Sequence, residues 1–513
     1  MMIPFTRRNF LITAAGTLAA TRLPGQKSSV VQATLTIPSD NTGAIMPADF
    51  GGLSYELRQL ADPTFFSDKN TGLIQAFKSL TMHGVLRLGG NTSEFAWWKA
   101  TPDAPEPQHP ETREVAGEPK AQYYAVTPDS VRNLARFLQA TGWNCIYGIN
   151  MGTNTPERAA AEAEFVANTL GGSLQYFQIG NEVDLFNRHL RDPKTWNAKN
   201  YLAEWLTMAR AISEKVPSAK FGMPDVASDV AWLPEIADSW ASIQNPPRVT
   251  TISHHYYFGG PATNPDVNIP NLLKPSTMAK VQNTATQAAA AARKMNVRVR
   301  MTEGNTCYRG GKPGVSDVFA AALWSADYSL LLASNNYSGI NLHGGTGESV
   351  AVSVGGFLPG DVMLKDNGKT PEQIASYPHP FYTPIATFGE KYALQPVGFG
   401  LKFALQLSGG SFIHGDFTST LQKEGINATA YAVKLANGRV AVVVLNKDSE
   451  KDLDLRIDLG KDRSEVVKVE TLSAQALDSR EVRITQNSHA EKLQGGVYSV
   501  KVPRATGICL TAQ

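Results

Sequence analysis

Two short apolar runs in this chain end in a carboxylate. Gln175 to Ile179 leads into Gly180-Asn181-Glu182, and Val297 to Thr302 leads into Glu303 and a glycine-containing stretch ending at Gly310-Gly311. A strand that stops at Asn-Glu presents a carboxylate beside an amide able to donate a hydrogen bond. Two such carboxylates facing each other are what glycoside hydrolysis requires, because one protonates the leaving oxygen while the other attacks or activates water. Either Glu alone carries little weight, since most strand-end carboxylates are solvated or paired with Arg. The pair, with Asn181 adjacent, carries much more.

A third run reads Ser253-His254-His255-Tyr256-Tyr257. Successive side chains on a strand alternate faces, so the two His do not share a site and a di-His metal centre is disfavoured. His255 and Tyr257 share a face, where the Tyr257 hydroxyl would bond the Glu303 carboxylate, orient it and favour its ionised form. The competing reading makes both residues barrel filling. Further strand ends are polar: Glu56, Arg87 with Gly89-Gly90-Asn91, Asn150, and Asn341 with His343. Such groups would hold sugar hydroxyls, with Arg87 paired to a carboxylate instead. Trp97 and Trp98 either stack on sugar rings or fill the core. A Cys307 nucleophile served by His254 is disfavoured, because Cys307 is expected in a loop and no orienting Asn or Asp is identifiable. Gly344-Gly-Thr-Gly347 is too short to read as a phosphate loop. No metal and no cofactor are expected.

Eight strand-like runs position these residues: Asp49 to Tyr55, Gly84 to Leu88, Asn144 to Ile149, Leu174 to Ile179, Lys220 to Met223, Val249 to Tyr257, Val297 to Thr302 and Gly339 to His343. Helical patterns separate them. Val131, Leu134, Phe137 and Leu138 follow Thr127-Pro128-Asp129, and Tyr201, Trp205, Met208 and Ile212 repeat the spacing. Eight βα units predict a (β/α)8 TIM barrel over 45–392. An open doubly wound sheet is the alternative, although no GxGxxG turn follows the first strand. Loops 100–122, 258–275 and 344–380 follow strands and so belong to the barrel's C-terminal face, where the carboxylates also lie. From 393 to 513 the texture turns all-β, with alternation at Ala428 to Leu435, a turn at Asn437-Gly438, the apolar run Val440 to Leu445, and alternating Leu453, Leu455, Ile457 and Leu459. This predicts a β-sandwich domain, which an N-terminal strand within 31–44 would join.

Composition bounds the rest. The chain has 513 residues, more than one core usually fills, and 48 basic against 46 acidic side chains leave a net charge of +2. Without basic blocks it does not read as a nucleic-acid binder. Arg7-Arg8 before the apolar run Ile12 to Ala20 matches a twin-arginine export signal, too short to span a membrane, so residues 1–30 are set apart from the fold. The periplasm or the exterior is then the expected location, and no stable membrane insertion is expected. Cys145, Cys307 and Cys509 are odd in number and widely spaced, which predicts buried free thiols rather than disulfides.

Taken together, Ile179 to Glu182, Ser253 to Tyr257, Thr302 to Gly311 and Gly314-Val-Ser-Asp-Val-Phe-Ala320 resemble glycoside hydrolase family 79, the family of heparanases and microbial β-glucuronidases. The resemblance extends over essentially the whole chain beyond residue 30. It implies a retaining clan A barrel in which Glu182 is the acid/base, assisted by Asn181, and Glu303 the nucleophile. It further implies that Tyr308, the backbone of Gly310 and Gly311, and Tyr382 of His379-Pro-Phe-Tyr382 recognise a uronate carboxylate, with Glu56, Asn91 and His255 lining the sugar subsite. Arg309 stands where heparanase has Gly, so it either pairs with the carboxylate or narrows the cleft. The activity implied is that of a secreted exo-β-D-glucuronidase acting on a glucuronic-acid-containing glycoside or oligosaccharide through a covalent glycosyl-enzyme. The alternatives are a heparanase-like or hyaluronidase-like endo-enzyme and a catalytically silent carbohydrate-binding protein. The oligomeric state is not fixed by the sequence.

Overall fold

The computed structural model describes residues 29–38, 42–114, 122–227, 229–262, 264–345, 380–388, 391–460, 466–486, 491–492 and 495–512. The twin-arginine stretch, residues 115–121 and most of the 344–380 loop, His379 included, lie outside the described residues.

The barrel consists of β1 (Gly51–Glu56), β2 (Val85–Gly89), β3 (Asn144–Ile149), β4 (Leu174–Ile179), β5 (Phe221–Val226), β6 (Val249–Gly259), β7 (Arg298–Cys307) and β8 (Tyr337–His343). Parallel pairing of Ile340–His343 with Gly51–Ser54 closes the ring, which excludes the open sheet. The intervening helices follow from local chemistry. Thr127 caps helix Pro128–Thr141 by accepting the Ser130 amide, Pro128 occupies the first turn, and Gly142 ends the helix at φ 77°. Thr155 and Pro156 repeat the device for helix Pro156–Leu170. The expected apolar faces, Val131, Leu134, Phe137 and Leu138, and Tyr201, Trp205, Met208 and Ile212, are buried.

Two strands run further than the sequence predicts. β5 continues through Pro224 to Val226, because it bridges β4 only at Phe221 and Gly222 and needs no proline N–H on that side beyond them. β7 continues from Glu303 to Cys307, pairing His255 with Glu303 and Gly259 with Cys307. Gly304 is therefore a strand residue rather than the start of a loop. A Cβ there would lie 2.2 Å from the Tyr256 carbonyl oxygen, so only glycine fits the ladder.

The all-β half forms two facing sheets. The larger includes Ala428–Lys434, Val440–Asn446 and Thr506–Ala512; the smaller pairs Ser29–Thr36 in parallel with Lys451–Asp458, which in turn pairs with Val497–Val502. Leu35, Leu453, Leu455, Ile457, Val442, Val444 and Leu510 form the core between them. On the other face of the large sheet, Tyr431, Val433, Val443, Leu445 and Cys509 join the barrel core. Helix Phe319–Ser334 is therefore buried nearly all round, which explains its almost continuous apolar sequence. Its one acidic residue, Asp327, pairs with Lys447 and accepts the Tyr431 hydroxyl at 2.7 Å. Cys145, Cys307 and Cys509 are buried free thiols, as expected.

Candidate active site

Glu182 stands just past β4 on a backbone that every neighbour constrains. Gly180 turns the chain at φ 83°, and Glu182 itself adopts the left-handed conformation at φ 49°, ψ 48°. That conformation costs a non-glycine residue about 1–2 kcal/mol and persists where the surroundings over-determine it. Here the Gly180 amide donates to the Ile149 carbonyl, the Asn181 amide to the Glu94 carboxylate and the Glu182 amide to the Asp225 carbonyl. Trp196 Nε1 donates to the Val183 carbonyl, and the Asp184 carboxylate accepts the amides of Ala227 and Asp229.

Glu303, inside β7, is held through both oxygens. Oε1 accepts the Tyr257 hydroxyl at 2.8 Å and Oε2 accepts Arg87 Nη1 at 2.7 Å. Arg87, on β2, is almost fully buried and uses its fork on four groups: Glu303 and the Ser54 hydroxyl from Nη1, Asn181 Oδ1 and Asp225 Oδ2 from Nη2. Gly89 makes room for it, since a Cβ there would sit 2.2 Å from Arg87 Cζ. His255 bridges the two halves of the site, with Nδ1 3.1 Å from Glu182 Oε1 and Nε2 3.1 Å from Asp225 Oδ2. One oxygen each of Glu182 and Glu303 and one nitrogen of His255 lie within 4.8 Å of one another.

The electrostatics separate the two carboxyls. For Glu303, burial alone would raise the pKa, but His343, His255, Arg87 and the Tyr257 hydroxyl bring it down to about 2. Burial raises Glu182 above the usual carboxylate range, with the His255 hydrogen bond opposing and Glu303 assisting. Burial would lower His255, yet Asp225 and Glu303 push it up to about 10. By donor type the Glu182–His255–Glu303 triplet would suit a divalent cation. A protonated imidazole has no lone pair to give, however, and Arg87 already compensates Glu303, so the environment favours a proton over a metal.

Beyond β7 the chain turns sharply at Arg309, Gly310 and Gly311, all left-handed, with φ of 60°, 86° and 86°. Tyr308 is exposed and its ring meets that of Tyr257 edge-on, while the Arg309 guanidinium lies 5.8 Å from the Tyr308 ring centroid. Tyr382 is buried against Tyr257 and His343, and its hydroxyl lies within hydrogen-bonding reach of the Tyr257 hydroxyl and the Gly310 amide. Glu56 is buried, accepting the amide and hydroxyl of Thr92, with His343 Nε2 3.7 Å away. Exposed Asn91 accepts the Asn181 side-chain amide at 3.1 Å.

No family model matches the chain. It is 25% identical over 379 residues to a β-glucuronidase of Aspergillus niger, covering 67% of each chain. It is 26% identical over 322 residues to a β-glucuronidase of Neurospora crassa, covering 55% of this chain and 54% of that one. The chain is a relative of the β-glucuronidases. Among solved structures, a 4-O-α-L-rhamnosyl-β-D-glucuronidase from Fusarium oxysporum superposes with a TM-score of 0.67 at 19% identity, covering 93% of this chain and 100% of that one. A family 51 arabinofuranosidase from Xanthomonas axonopodis pv. citri gives 0.64 at 14% identity, covering 94% and 100%. Both share the fold.

In this β-glucuronidase relative, Asn181, Glu182, His255, Tyr257 and Glu303 converge with Arg87, and Tyr382 abuts Tyr257. Several other polar strand ends serve the fold instead. Asn150 bonds the Ala96 carbonyl and the Thr153 hydroxyl, and Asn341 accepts Arg300 Nε while donating to the carbonyls of Leu53 and Val85. Trp97 is buried and Trp98 packs on Phe165, so both fill the core. Cys307 is buried, and His254 bonds the Tyr337 hydroxyl and lies apart from it; burial lowers His254 to about 4. Sequence reading missed Asp225, hidden behind the apparent strand stop at Pro224. It also missed Glu94, which no motif marks.

Proposed function

We propose that the chain is an exported, retaining exo-β-glucuronidase of glycoside hydrolase family 79. The observation that carries the reading is the approach of Glu182 and Glu303 within 4.8 Å, in a chain whose curated relatives are β-glucuronidases. Retaining enzymes hold their carboxyls ~5–5.5 Å apart, whereas inverting ones leave ~6.5–9.5 Å for a water. In the first step, ionised Glu303 bonds to the anomeric carbon as the glycosidic bond breaks and Glu182 gives its proton to the leaving oxygen. In the second, Glu182, now a carboxylate, takes a proton from water. The water oxygen bonds to the anomeric carbon, Glu303 departs, and the sugar leaves with its hydroxyl on the original face. Tyr257 and Arg87 orient Glu303, and His255 orients Glu182.

The uronate carboxylate is received where Tyr308, Tyr382 and the Gly310–Gly311 backbone meet beside Tyr257, with Glu56 and Asn91 lining the sugar-binding side. Exo action is supported by the lack of basic clusters that would grip a long sulfated chain. A site built around a charged acceptor leaves its donors unpaired with glucose, so an aryl glucuronide should be hydrolysed about 10³ times better in kcat/KM than the matching glucoside. Comparable rates would remove the uronate assignment and leave a glycosidase of unassigned specificity. Proton NMR should show the β-anomer first; an initial α-product contradicts retention. Release of internal fragments from a polymeric uronan would replace exo by endo action. Export is checked by a reporter fused to the first residues, which should stay inside the cell when Arg7 and Arg8 become Lys.

A further inference from the structure

Glu94 lies in the turn after β2, almost wholly buried. Its Oε2 accepts the amides of Met151 at 2.9 Å and Gly152 at 2.5 Å, while Oε1 accepts the Asn181 amide at 2.7 Å and lies 3.2 Å from the Ser93 hydroxyl. Met151 and Gly152 follow β3 and Asn181 follows β4, so one carboxylate joins the rims of three consecutive strands. The β3 turn is gripped from its other side as well, where Arg191 donates to the carbonyls of Met151 and Gly152. Asn181 is the residue immediately before left-handed Glu182, whose own amide is taken by the Asp225 carbonyl.

We propose that Glu94 is a positioning residue for Glu182: by accepting the Asn181 amide it fixes the left-handed backbone that aims the Glu182 carboxyl at the leaving oxygen. The inference rests on the acid/base reading of Glu182. Only a carboxylate suits the task. Three amides need acceptors on two oxygens, and hydrogen bonds to a charged acceptor are the stronger kind. Glutamine has the same shape but one oxygen, so its NH2 group would face at least one amide donor.

The test is Glu94→Gln measured on aryl glucuronides of graded leaving-group acidity, beside Glu182→Ala. A misdirected acid hurts substrates that need protonation most. Phenyl glucuronide should therefore lose about 30-fold or more in kcat/KM while 4-nitrophenyl glucuronide loses only a few-fold, parallel to Glu182→Ala but smaller. Glu94→Asp, which keeps the charge but falls short of Asn181, should show the same slope to a lesser degree and serves if the Gln variant does not fold. A uniform loss across leaving groups, or none, overturns the proposal, since a merely structural residue would not change the slope. A flat Glu182→Ala series would overturn the acid/base reading and this inference with it. A steep Glu182→Ala series beside a flat Glu94→Gln series overturns this inference alone.

Discussion

Charge balance among five buried side chains sets the chemistry. Arg87 and His255 are cationic and compensate Asp225 and Glu303, which leaves Glu182 as the carboxyl without a cation of its own. Asp225, like Glu303, is held below the usual carboxylate range: burial opposes, but His255 and Arg87 outweigh it. A carboxyl in the position of Glu182 keeps its proton at pH values where the other two are ionised. The acid limb of kcat/KM should therefore fall well below 4.5, tracking Glu303 at about 2, while the alkaline limb tracks Glu182 and disappears in Glu182→Ala. Stability has the matching sign. The Glu303 contribution is fully present above about 4.5 and is lost as pH falls toward about 2, so Glu303→Gln should flatten acid unfolding across that interval. The His255 contribution is fully present below about 6.5 and is lost as pH rises through about 10, so wild type and His255→Gln should converge in stability there. Arg309→Gly separates two roles. A carboxylate partner costs glucuronide turnover at every chain length, whereas a steric plug leaves short substrates unaffected and admits longer ones.

At the level of elements, β2 supplies the hub through Arg87, and its last residue must be glycine for that side chain to reach across the barrel. In Gly89→Ala the new methyl would collide with the guanidinium, 2.2 Å from Cζ. Overpacking of this kind costs about 1–3 kcal/mol, and displacement of the Arg87 fork would also release Glu303, so both melting temperature and kcat should fall. Gly172→Ala is the control, because nothing lies within 4 Å of a Cβ there and neither quantity should move. Loss of the Thr155 cap should cost about 1 kcal/mol with kcat intact, since helix Pro156–Leu170 lies outside the barrel wall.

Across the whole molecule, the β-sandwich is fastened to the barrel by packing on helix Phe319–Ser334 and by the buried Asp327–Lys447 pair. Removing one partner strands the other charge, so Lys447→Ala should cost about 3–5 kcal/mol in denaturant unfolding. Replacing both with apolar residues of similar volume should recover most of that loss, because the desolvation of two charges disappears with them. The site is remote from this pair, so kcat of the folded fraction should stay unchanged in both variants. A kcat that followed stability would show that sandwich docking shapes the site.

Wherever a local pattern carries the information, the chain alone determined the outcome. Period-2 and period-3.6 hydrophobicity marked the eight strands and their helices, Thr-Pro pairs marked helix starts, and abrupt strand ends marked Asn181, Glu182 and Glu303. Tyr257 was legible too, because strand alternation puts it on one face with His255. Tertiary structure decided what depends on groups far apart in sequence. Asp225 lies behind a proline that reads as a strand stop, and it becomes central only because β2 and β6 bring Arg87 and His255 to it. Glu94 has no pattern of its own, since its partners are backbone amides on two other rims. Gly304 reads as loop chemistry, and only the nearby Tyr256 carbonyl makes it a strand residue. Asn150 and Asn341 look like sugar ligands by residue type, but neighbouring carbonyls claim them. A hydrophobic period is written along one segment, whereas a buried hydrogen bond is written by two segments that meet only when the barrel closes.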